Sequence, residues 1–146
     1  MERIKADLFY NIKRKNLVDL INKETTDKII KAFYNVYNTL GYGFLEKVYE
    51  NALLIELEEM GLLCEKQKPI SVFYKEEKVG SYFADIIVDN QVIIELKAAE
   101  GIVQEHEFQL INYLKATEIE VGLLLNFGKT PQFKRKIHTK KSVFNQ

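Results

Sequence analysis

Asp85, Glu95 and Lys97 are the residues of this chain whose types and spacing could do chemistry. Glu95 and Lys97 sit two apart in Val92-Ile93-Ile94-Glu95-Leu96-Lys97, a run that reads as a strand, so both point to one face. A charge on a sheet face that packs against helices is costly unless it is paired or bound to a cation. Asp85 lies on the preceding strand. With a three-residue hairpin loop (Asp89, Asn90, Gln91), Val88 faces Val92 and Asp85 faces Glu95. A two-residue Asp89-Asn90 turn would set Asp85 opposite Ile94, on the wrong face. Two carboxylates side by side repel each other. A hard divalent cation such as Mg²⁺, held by one or two carboxylates, waters and a substrate phosphate, resolves that conflict. Lys97 beside them would orient an attacking water or stabilise charge developing on a phosphoryl group. The plainer alternative is that Lys97 and Glu95 form an ion pair while Asp85 caps a turn.

Glu46 supplies a third carboxylate in the first turn of a helix, where the helix dipole favours an anion in any case. Tyr49 and Glu50 follow at i+3 and i+4, on the same side. Gln109 and Tyr113 repeat the i, i+4 spacing on a later helix. A glutamine there can hold a metal-bound water or a phosphate oxygen, and a tyrosine can do the same or pack in the core. His106 and His138 form no HxxxH or HExxH pair, so the histidines build no zinc site. Cys64, the single cysteine, reads as a small buried hydrophobe, and no glycine-rich phosphate cradle is present.

These residues need elements to carry them. Residues 1–23 are mixed, with Leu8, Ile12, Leu17, Leu20 and Ile21 at roughly helical spacing, which predicts a loosely packed helix or a frayed arm. Thr25 or Thr26 is placed to cap a helix carrying Ile29, Ile30, Phe33, Val36, Tyr37 and Leu40, which Gly41 and Gly43 stop. A second helix runs from Leu45 towards Gly61. Strands follow within 63–75, 79–88 and 91–97, then a helix over 103–116 and a nearly continuous apolar strand from Val121 to Phe127. Lys129-Thr130-Pro131 turns into a basic final element. The order is ααβββαβ plus a tail, which predicts a mixed α/β sandwich around a central sheet. An arm of residues 1–25 would precede a domain of residues 26–146.

The chain has 146 residues, 47% apolar and 29% charged, enough for one core without disulfides or a structural metal. Nothing reads as a signal peptide or a membrane span, which predicts a cytoplasmic location with no membrane partner. Lys+Arg and Asp+Glu both total 21, so there is no global basic signal for nucleic acid. The distribution is uneven: residues 32–120 carry net −9, and residues 121–146 carry net +6 with no acidic side chain. A basic end of this kind could hold an anion such as a phosphate backbone, or remain a solvated terminus.

Gly43-Phe44-Leu45-Glu46-Lys47-Val48-Tyr49 resembles the motif that names the GxxExxY family, assigned to the PD-(D/E)XK nuclease superfamily. The likeness runs from about Thr26 to about Ile137. It includes Tyr82-Phe83-Ala84-Asp85, Ile94-Glu95-Leu96-Lys97, Gln109 to Leu114 and Leu124-Leu125-Asn126-Phe127-Gly128. The resemblance implies a restriction-endonuclease-like fold and a Mg²⁺- or Mn²⁺-dependent nuclease acting on nucleic acid, DNA before RNA. It implies that Asp85, Glu95 and Lys97 form the metal-binding and catalytic core and that Glu46 is the helical acidic residue. Gln109 and Tyr113 resemble the QxxxY motif of the RecB-like and lambda-exonuclease-like branch, which helps position metal and substrate. Ala84 replaces the proline of the superfamily's name motif, and Tyr37 stands where many family members carry histidine. The alternative reading is a catalytically silent scaffold that binds nucleic acid or a protein, and a third is a homo-oligomer docked through the first 23 residues.

Overall fold

The computed structural model describes residues 2–140, so of the basic side chains expected near the end only Lys141 lies outside the described residues. The elements are α1 (Glu2–Leu20), α2 (Lys23–Leu40), α3 (Glu46–Glu59), β1 (Cys64–Tyr74), β2 (Glu77–Val88), β3 (Val92–Lys97), α4 (Gln104–Lys115), β4 (Val121–Phe127) and β5 (Pro131–Ile137). The five strands form one sheet in the order β1-β2-β3-β4-β5. Every neighbouring pair is antiparallel except β3–β4, which is parallel and connected through α4. The result is the expected α/β sandwich, a mixed central sheet flanked by helices.

The period-2 alternation of the central strands divides the interior in two. Val92, Ile94 and Leu96 of β3 join Val121, Leu123, Leu125 and Phe127 of β4 under α2 and α3, where Ile29, Phe33, Tyr49, Leu53 and Leu57 pack. Ile93 and Leu124 point the other way and pack with Leu110, Tyr113 and Leu114 of α4. At Gly122 a Cβ would lie 2.6 Å from the Leu110 side chain, so the missing side chain lets α4 seat directly on β4. Strands buried on both faces carry continuous apolar runs, and β4 is buried at all of its positions.

Two local expectations differ from the structure, at the α2 cap and after Pro131, and a third, left open between two forms, is decided. The helix cap expected at Thr25 or Thr26 is not made: α2 starts at Lys23 after Asn22 in a left-handed conformation, and Thr26 donates its hydroxyl to Lys23 O at 3.0 Å inside the first turn. Of the two forms expected for the N-terminal residues, the loosely packed helix is the one observed: α1 (Glu2–Leu20) buries none of its side chains, and Leu8, Phe9 and Ile12 are exposed. The basic segment after Pro131 is a fifth strand, paired residue for residue with β4 from Phe127↔Pro131 to Val121↔Ile137. A strand as buried as β4 needs backbone partners on both edges, and the tail supplies the second set.

Candidate active site

The β2–β3 hairpin has the three-residue loop that brings the two carboxylates together. Asp89 and Asn90 both have positive φ, Gln91 N–H donates to Val88 O at 2.9 Å, and the ladder begins at Val88↔Val92. It continues through Ile87↔Ile93 to Ile86↔Ile94 and stops there. One residue further, side chains take over from backbone carbonyls. Asp85 N–H donates to Glu95 Oε1 at 3.1 Å, and Leu96 N–H donates to Asp85 Oδ2 at 2.8 Å. Each carboxylate therefore satisfies a backbone donor that the interrupted ladder would otherwise strand in the interior.

This solution places two acidic groups side by side, Glu95 buried and Asp85 half-buried. Glu95 is only 5% exposed and has no ion-pair partner among the described residues. Burial first, and the neighbouring Asp85 second, push its carboxyl up to about 8. Asp85 is also raised, mainly by burial and further by Glu50 and Glu46, against the lowering effect of the Leu96 N–H bond. Neither half of the plainer alternative forms. Lys97 makes no ion pair with Glu95, and Asp85 stands inside β2 rather than at a turn; Asp89 does the capping, accepting Leu63 N–H at 2.8 Å.

Helix α3 brings further acid to the split. Gly41 and Gly43, both with positive φ, carry the chain round to its start, where an L side chain would be strained. Tyr49 fixes this loop: its hydroxyl donates to Gly41 O at 2.8 Å and accepts Phe44 N–H at 3.3 Å, while its ring stacks on Phe127 with centroids 4.3 Å apart. Glu46 in the first turn is exposed, and Glu50 one turn later is buried. Glu50 Oε2 accepts from Lys47 Nζ at 2.8 Å, and Oε1 accepts from Gln67 Nε2 at 3.0 Å. The same Gln67 amide lies 3.4 Å from Asp85 Oδ1. Glu46, Lys47, Glu50, Gln67, Asp85 and Leu96 line a cleft of about 260 Å³.

On the other side of the sheet, Gln109 Nε2 donates to Tyr113 Oη at 2.8 Å. Tyr113 is nearly buried, and its hydroxyl pKa is raised by burial and then by Glu95, which places the ring beside the acidic pair. Gln109 and Tyr113 also wall an open groove of about 1000 Å³ with Phe73, Val79, Tyr82 and Phe108. Lys97 forms no hydrogen bond or ion pair among the described residues, so its ammonium is available to a ligand. Its backbone exit is held by Asn126, the residue paired with it on β4, whose amide accepts Ala99 N–H at 2.9 Å and donates to Ala99 O at 3.0 Å.

Asp85, Glu95 and Glu46 thus surround one region, with Lys97 following on β3 and the Gln109–Tyr113 pair behind. Among the described residues no three His, Cys, Asp or Glu side chains form a closed metal cage. Mg²⁺ does not require one: it keeps waters and takes one or two carboxylates, and two raised, cation-free carboxylates suit it. Gln67 was invisible in the sequence, lying in the polar run Glu65-Lys66-Gln67-Lys68 with no spacing cue. Asn126 stood only within a longer motif. Glu50 was grouped with Glu46 by spacing, and its burial is what the structure adds.

Comparison with known proteins bears on this geometry. The sequence model described as the PD-(D/E)XK nuclease superfamily matches residues 23–139. No curated protein matches the sequence. Among solved structures, a crystal structure of a protein called SSO0001 superposes with a TM-score of 0.50 at 17% identity, covering 82% of this chain and 60% of the other. This chain therefore spans less than two thirds of that structure, and the likeness concerns the fold.

Proposed function

The chain belongs to the PD-(D/E)XK nuclease superfamily, and on that premise we propose that it is a divalent-cation-dependent nuclease hydrolysing phosphodiester bonds, with DNA as substrate. Nucleases of this superfamily generally depend on a divalent metal. Within it, the Gly43-to-Tyr49 segment and the four later segments favour the GxxExxY family. The observation that carries the reading is the break in the β2–β3 ladder, where Asp85 and Glu95 meet without a cationic partner.

Asp85 and Glu95 would hold Mg²⁺ or Mn²⁺, with Glu46 acting through water. The bound ion would supply Lewis-acid polarisation of the phosphoryl oxygens. Lys97, unpaired among the described residues, would orient the attacking water and hold its ammonium against the negative charge developing on the phosphoryl oxygens. Tyr113, aligned by Gln109, would position a phosphate oxygen at the back of the site. Basic residues of β5 and the following segment would meet the nucleic-acid backbone, so binding should weaken as salt rises. Lys134 is exposed for this role, whereas Lys136 is engaged with Glu107 and Arg135 donates to Ile21 O. The arm of residues 1–25 would stand apart from the domain of residues 26–146, consistent with an α1 that buries no side chain.

Incubation of the purified chain with linear and circular DNA, with and without Mn²⁺, tests the reading. Cleavage that needs the ion and disappears in Asp85→Asn is the expected result. A chain that binds Mn²⁺ and DNA but cuts no DNA or RNA would be the silent scaffold. A chain that binds no divalent ion at millimolar concentration would end the metal reading.

A further inference from the structure

Gln67 lines the acidic cleft and, like Glu50, lies outside every motif. It lies on β1, opposite Asp85, at the point where the β1–β2 pairing passes from Lys66↔Ile86 to Lys68↔Ala84 without a regular pair between. Its φ is 51°, a left-handed conformation that a non-glycine residue adopts at a cost, and that persists where surrounding contacts compensate. The contacts its side chain makes are to two carboxylates on different elements: Glu50 of α3 at 3.0 Å and Asp85 of β2 at 3.4 Å.

The chemistry of the amide is what makes the arrangement informative. Two carboxylates converging from a helix and a strand repel each other. A lysine or arginine between them would remove the repulsion by supplying a permanent cation, and would occupy the place a metal ion needs. A glutamine amide has two N–H donors and no charge. It reaches both anions at hydrogen-bond distance while adding no charge of its own. Lys47 takes the opposite oxygen of Glu50 from the solvent side, so that carboxylate is held at both ends.

We propose that Gln67 is a positioning residue that clasps Glu50 to Asp85, keeping the α3 carboxylate's charge at the cation site and thereby setting the site's affinity for a divalent ion. The inference rests on the metal-dependent reading above. It goes further in giving a role to a β1 residue and to Glu50, neither of which belongs to the carboxylate–lysine set. Residues that hold metal ligands from behind typically change affinity by about 10–100-fold when removed.

The test uses the full chain freed of metal and the variant Gln67→Gly, which suits the positive φ and removes the side chain with its amide. Calorimetric titration with Mn²⁺ should show affinity weakened by about 10–100-fold, with the unfolding midpoint of the metal-free variant held or raised. Mn²⁺ binding within threefold of the parent would overturn the proposal, as would an affinity loss that merely tracks a fallen midpoint. A second readout needs no metal. In a double-mutant cycle of Gln67→Gly with Glu50→Ala, metal-free unfolding should be non-additive, because the two side chains share a hydrogen bond. If the parent binds no Mn²⁺, the metal reading fails and takes with it the affinity role. The cycle then reports separately whether the clasp exists, additive unfolding showing that it does not.

Discussion

The two ends of the β2–β3 pair differ sharply over a few residues. From Val88↔Val92 to Ile86↔Ile94 the strands exchange backbone hydrogen bonds, and all six side chains are buried aliphatics. Immediately beyond, the ladder gives way to carboxylates that stand in for carbonyls, and the next buried group is an acid with a pKa pushed up to about 8. The aliphatic end stabilises the fold. The acidic end costs stability once its carboxyls ionise, because burial and the neighbouring acid disfavour the charged forms. The difference teaches that the cleft's strain is local: the apolar ladder beneath it and the packed β4 beside it hold the two acids in a geometry they would not choose.

Variants can break this comparison from either end. Lys97→Ala should have the largest effect, lowering the rate of DNA cleavage by about 10²–10³-fold. Its unfolding midpoint should stay near the parent's, because Lys97 makes no ion pair among the described residues; a matching loss of stability would show a structural role instead. Next comes pH. The folded Glu95 carboxyl titrates near 8 against 4.5 for an ordinary glutamate, so the folded chain binds the extra proton between those values. The stability this group contributes to the metal-free chain is full below the unfolded pKa and is lost as pH rises through about 8. Glu95→Gln should flatten that fall in thermal melts. Mn²⁺ must displace the same proton, so its affinity should rise by up to about tenfold per pH unit below the folded pKa and level off above it.

The apolar end answers to different changes. Ile94→Val should cost about 0.5–1.5 kcal/mol in denaturant unfolding and leave cleavage per folded molecule unchanged. Tyr113→Phe keeps the ring against Tyr82 and removes the hydroxyl that accepts from Gln109. Loss of that hydrogen bond should reduce kcat/KM by about 0.5–1.5 kcal/mol, the smallest of these effects on cleavage. An effect as large as that of Lys97→Ala would move Tyr113 from positioning into the reaction itself.

How much of this was legible in the sequence follows from what kind of signal each feature leaves. The hairpin register could be argued from Asp89, Asn90 and Gln91, because a one-residue change flips every later side chain and only one option faces Asp85 with Glu95. Helix and strand periods marked α2, α3, α4 and β4. The fifth strand was obscured because β5 is exposed over much of its length and its lysines mask alternation. The α2 cap was misplaced because the backbone at Asn22, rather than a threonine hydroxyl, turns the chain into the helix. Gln67 escaped notice for a related reason: a left-handed residue within a strand is set by tertiary contacts, and glutamine carries no local preference that announces it.

The outer borders of the sheet carry a consequence of their own. β1 presents Lys66, Lys68 and Pro69, with an irregularity between Val72 and Phe73, and β5 opens with Pro131 and bears Lys134 and Lys136. Charge, ring closure and kinks along a rim discourage a stray strand from zipping on, which guards against runaway aggregation. If copies of this chain do associate, they should meet through helices or loops rather than by extending the sheet.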